Sequence, residues 1–118
     1  MELLRRLSDA NGASGNEELV REIIAHEIKK YVDDIRVDSL GNLICHKKGK
    51  GPKVMLAAHM DEVGLMVSNI KDNGHLQFST VGGIEPFTLI AETVSILNDK
   101  NEVVGDGIIS FTELHEGL

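Results

Sequence analysis

His59 and Asp61 are separated by one residue, a spacing that in extended chain turns both side chains to the same side. A neutral imidazole binds zinc or cobalt through one ring nitrogen. A carboxylate accepting the other ring N–H fixes the tautomer and increases the ligand's basicity. Glu62 adds a second carboxylate, turned to the opposite side. From spacing alone, a strand end carrying a surface ion pair is the commoner use of His-x-Asp, so the surrounding elements decide the reading.

Immediately before the pair, Val54-Met55-Leu56-Ala57-Ala58 is apolar at successive positions. That pattern suits a central strand buried on both faces, and ligand sites in open α/β sheets gather at the carboxyl ends of such strands. Upstream, Leu3, Leu4 and Leu7 predict a short helix ended by Asn11-Gly12. Ser14 and Glu17 have the spacing of a capping box for a second helix, whose stripe is Leu19, Ile23, Ile24, Ile28 and Tyr31. The period then becomes two through Ile35 and Val37, a turn at 39–42 and Leu43-Ile44, which predicts two neighbouring strands. Lys47, Lys48, Lys50 and Lys53 around Gly49, Gly51 and Pro52 form a solvated turn rather than a phosphate site, since no helix start follows.

Beyond Val63 the pattern is β throughout: 64–70, an Asp72-Asn73-Gly74 hairpin turn, 75–81, a break at Gly82-Gly83, then strands at 92–97 and 102–104. The fold class is therefore α/β, with a first part over 1–62 and the start of a separate β domain over 63–118.

The remaining candidates have blander uses. His26 lies on the polar side of the second helix. Cys45 and His46 alternate on a strand and face opposite ways, and His75 follows a hairpin turn. Glu113 and His115 read as a solvated tail rather than a ligand pair, and Gly82-Gly83 as a strand break. A single cysteine makes no internal disulfide, and neither a signal peptide nor an apolar run of membrane length is present, so a reduced, cytoplasmic protein without a membrane partner is expected. A net charge of −7 leaves no basic surface for nucleic acid. With 3% aromatic residues and no tryptophan, the chain lacks the sugar platforms that accompany the carboxylate pair of a glycosidase.

The run VMLAAHMDEVG over 54–64 resembles the first metal-ligand motif of the M42 metallopeptidases, the glutamyl and tetrahedral aminopeptidases. Leu7 to Glu18 with Gly-Ala-Ser-Gly, Asp38-Ser39-Leu40-Gly41-Asn42-Leu43 and Val81-Gly82-Gly83-Ile84 resemble further landmarks of that family, in the same order. The resemblance implies a phosphorylase/hydrolase-like α/β domain, here its N-terminal part, leading into part of a small β-barrel-like assembly domain. It implies a metal-dependent enzyme that removes N-terminal residues from peptides at a site holding two divalent ions, zinc or cobalt, and that self-associates into a homo-oligomer. On this resemblance His59 is a metal ligand and Asp61 the catalytic-site carboxylate that supports it.

The family's bridging aspartate, general-base glutamate, further carboxylates and last histidine have no counterpart in these 118 residues, and 106–115 departs from the family's Gly-rich strand and Pro-Pro-His segment. The chain is accordingly expected to be an N-terminal segment, inactive alone. The other expectation is a non-catalytic remnant that self-associates through uncovered strands.

Overall fold

The computed structural model describes residues 1–110, in two compact units, Met1–Gly82 and the segment from Gly83 onward. In the first unit, helix α1 (Glu2–Asp9) carries the leucines and ends where Ala10 becomes extended. Helix α2 (Glu18–Ile28) lies against it, tied by Arg6 Nη1 donating to Glu27 Oε1 at 2.6 Å. The Arg6 guanidinium lowers the Glu27 carboxyl below its ordinary pKa.

Two details of α2 differ from the sequence reading. The capping box does not form: the helix begins at Glu18 without a side-chain cap, and Glu17 Oε1 accepts instead from the Gly15 N–H at 2.7 Å. The buried side chain of the helix is Val20, whereas Leu19, Ile23, Ile24 and Ile28 are half-buried. Tyr31 lies past the helix end, exposed, with the Lys30 ammonium 5.0 Å from its ring centroid.

The two expected neighbouring strands form as β1 (Asp34–Val37) and β2 (Leu43–His46), antiparallel with Ile35 opposite Cys45. Their turn is held by Asp38, whose Oδ1 accepts from the backbone N–H of Leu40 and Asn42 while Oδ2 accepts from Asn42 Nδ2. Gly41 takes the left-handed conformation there, φ 87°. Strands β3 (Gly64–Ile70) and β4 (Leu76–Val81) make a second hairpin around the 72–74 turn, with a bulge at 67–69.

The expected central strand at 54–58 is absent. These residues carry no strand assignment, and Val54, Met55 and Leu56 are 80%, 87% and 95% exposed. A strand exists only where neighbours satisfy its backbone groups and cover its side chains. No described element does either for this run.

The second unit, taken by itself, begins with a 3₁₀ turn at Pro86–Leu89 and closes on a hairpin of β5 (Thr93–Leu97) and β6 (Val103–Ile108). The Asn98 side-chain oxygen accepts from the N–H of Lys100 and Glu102 in its turn. Ile109 is buried and exchanges backbone hydrogen bonds with Ala91 and Glu92.

Candidate functional site

The His59–Asp61 segment leaves the exposed run and engages the first unit at Met60–Glu62. Its partner is the loop between α1 and α2. The Glu62 N–H donates to the Gly12 carbonyl at 2.8 Å, Glu62 Oε1 accepts from the Gly12 N–H at 3.1 Å, and Ala13 and Glu62 form a parallel bridge. Such close approach depends on missing side chains. A Cβ on Gly12 would lie 2.7 Å from Val20 Cγ2, and one on Gly64 would lie 2.9 Å from Ala13 Cβ.

On this seat, His59 Nδ1 lies 3.1 Å from Asp61 Oδ1 and 3.0 Å from the Asp61 carbonyl oxygen. Both neighbours are acceptors, which assigns a proton to Nδ1 and, in the neutral ring, leaves the lone pair on Nε2. Nε2 has no protein partner among the described residues, and the imidazole is 85% exposed. Ser14 Oγ donates to the other carboxylate oxygen, Asp61 Oδ2, at 2.8 Å. This bond above all, and then the one from His59, lowers the Asp61 carboxyl below its ordinary pKa.

The structure thus brings together His59, Asp61 and Ser14 and ties Glu62 to the loop backbone. Ser14 is the member that the sequence reading assigned elsewhere, as a helix cap. The signal for it was the Gly-Ala-Ser-Gly run, whose small residues allow a loop to press against another backbone. Among the described residues, no group of three or more His, Cys, Asp or Glu side chains is placed to hold a metal ion. Cys45 is half-buried on β2, His46 pairs with Asp34 at 3.5 Å, and the Asn73 side-chain oxygen accepts from the His75 N–H. A hollow of about 580 Å³ lined by Ala25, His26, Lys29, Val32, Asp33 and Ile35 contains neither His59 nor Asp61. Glu113 and His115 lie outside the described residues.

As a possible ligand set, this site offers one exposed imidazole with a carboxylate beside Nδ1, an arrangement common among metal-binding histidines. It fits one corner of a metal centre.

The chain is 54% identical over 104 residues to a putative aminopeptidase of Acetivibrio thermocellus, an alignment spanning 88% of this chain and 31% of the relative. In structure it matches an aminopeptidase from the archaeon Desulfurococcus kamchatkensis with a TM-score of 0.89 at 33% identity, covering 99% of this chain and 33% of the other. It also matches the Pyrococcus horikoshii TET1 peptidase, described as assembling into a tetrahedron or a large octahedral shell, with a TM-score of 0.82 at 38% identity over 99% of this chain and 34% of the other. The chain therefore spans about a third of the length of the relatives it matches. The family model for M42 glutamyl aminopeptidase matches residues 41–116, and with these relatives it establishes that the chain belongs to the M42 aminopeptidase family.

Proposed function

We propose that this chain contributes the N-terminal part of a metal-dependent aminopeptidase, with peptides as substrate and two divalent ions, zinc or cobalt, at the complete site. The observation that carries the reading is the His59 ring, with Nδ1 at hydrogen-bond distance from two Asp61 oxygens and Nε2 without a protein partner among the described residues. His59 is the ligand, and Asp61 is the carboxylate that holds the imidazole in its ligating form. The bound ions would polarise the scissile carbonyl and lower the pKa of the attacking water. The further ligands come from residues beyond the described ones, in keeping with the share of the relatives that the chain spans.

The inserted β domain begins at residue 63, after an α/β part over 1–62. The chain self-associates and acts in the cytoplasm without a nucleic-acid or membrane partner. What supports self-association is the apolar run at 54–56, exposed in the single chain, together with the assembly described for the TET1 peptidase. The net charge of −7 opposes nucleic acid, and no helix among the described residues is long and apolar enough to cross a membrane.

The test is complementation. The 118-residue chain alone yields no metal-stimulated hydrolysis of aminoacyl chromogenic substrates, and mixing it with the remaining two thirds of the Acetivibrio relative restores turnover. In the mixture, His59→Ala abolishes activity and Asp61→Asn reduces it about 10–100-fold, as for a partner that orients a ligand. Full activity retained by His59→Ala would refute the assignment.

A further inference from the structure

Ser14 and Asp61 are 47 positions apart, yet their side chains share a hydrogen bond of 2.8 Å. The two Asp61 carboxylate oxygens are engaged at once, Oδ2 by Ser14 and Oδ1 by His59. The terminal torsion of an aspartate is soft, so a carboxylate bonded on one side only swings freely in water. Two donors at opposite oxygens fix it.

The loop that carries Ser14 is itself held. One backbone bond and one bond to the Glu62 carboxylate join Gly12 to Glu62, the Asn16 N–H closes a turn on the Ala13 carbonyl at 2.7 Å, and Gly15 adopts φ 88°. With no Cβ at Gly64 to meet Ala13 the two segments lie close together, and the Ser14 hydroxyl bonds Asp61 across them. Its spacing to Glu17 suggests a cap, but α2 has none.

We propose that Ser14 is a positioning residue, which acts through Asp61 to hold the His59 imidazole as the Nδ1–H tautomer with Nε2 directed outward as a ligand. The inference deepens the proposed function, and for its purpose it rests on that reading. The Asp61 carbonyl at 3.0 Å selects the same tautomer, so the carboxylate and Ser14 reinforce a choice that the backbone begins. Being ionised, the carboxylate makes the stronger of the two bonds.

The experiment is ¹⁵N NMR of the histidine rings in the metal-free, full 118-residue chain, at a pH where the imidazoles are neutral, with His59 assigned by its loss in His59→Gln. In the wild type the His59 ring is expected as Nδ1–H, while exposed His26 shows the Nε2–H form usual in water. In Ser14→Ala the Nε2–H population of His59 rises about threefold or more, the change that losing one hydrogen bond produces. Ser14→Thr, which keeps the hydroxyl, restores the wild-type spectrum. Two results overturn the proposal: a wild-type His59 that is already Nε2–H, which needs no variant to fold, or a folded Ser14→Ala chain whose His59 tautomer is unchanged. Because no metal is present, either failure leaves the ligand role of His59 to be decided by complementation.

Discussion

Gly12→Ala should uncouple the loop from the site, and its cost follows from the packing. An alanine Cβ at position 12 would lie 2.7 Å from Val20 Cγ2, far inside van der Waals contact, and 3.5 Å from the Met60 carbonyl oxygen. Val20 cannot swing clear, because its branched side chain is stiff and it is the buried apolar side chain of the first unit. Either α2 or the loop must shift, which strains the Gly12–Glu62 bonds of 2.8 and 3.1 Å. Overpacking of this kind costs ~1–3 kcal/mol. The Glu62 amide, bonded to the Gly12 carbonyl, reports it directly by hydrogen exchange. At one factor of ten per 1.4 kcal/mol, its protection should fall about 5- to 150-fold. Val20→Ala removes the methyl that clashes, so in the double variant most of the Gly12→Ala penalty should vanish, a coupling of ~1 kcal/mol or more. Additive effects of the two substitutions, or unchanged Glu62 protection in Gly12→Ala, would show that the backbone contact is not what seats the His59 segment.

The exposed run should drive association. Burying a side chain such as Leu56 contributes ~1.5–3 kcal/mol, so Leu56→Lys should weaken the dimer or higher oligomer about tenfold or more in sedimentation velocity, and a wild-type chain that stays monomeric at high micromolar concentration would contradict this. Acid should loosen the β1–β2 turn. The Asn42 side-chain N–H, followed by the backbone N–H of Asn42 and of Leu40, holds the Asp38 carboxyl below its ordinary pKa. Its contribution is thus present above the unfolded value of about 3.9 and lost as pH falls through the lower folded value. Exchange of the Asn42 amide should accelerate below about pH 4 relative to neighbouring amides, and Asp38→Asn should flatten that dependence.

Short-range chemistry was readable in the residues. The hairpin turn at Asp72-Asn73-Gly74 formed as expected because Gly74 supplies a left-handed φ of 83° and the Asn73 side chain bonds two residues on, neither of which needs a distant partner. The β1–β2 turn, held by Asp38 through contacts no more than four residues away, formed for the same reason. His59 and Asp61 were identifiable because a ligand and its supporting carboxylate two positions apart need only local extended chain to meet.

Tertiary structure decided whatever depends on a partner far along the chain. Apolarity marked 54–58 for burial, but burial requires a cover, and no described element provides one. Helical periodicity described a stripe on α2, while the choice of Val20 as its buried member came from Gly12 lying against it. Ser14 had one partner suggested by its sequence neighbourhood, the start of α2, and that cap does not form. Its actual partner, Asp61, became available only when the Gly12 and Glu62 backbones met, because a hydroxyl bonds to what folding brings within 3 Å and not to what spacing suggests.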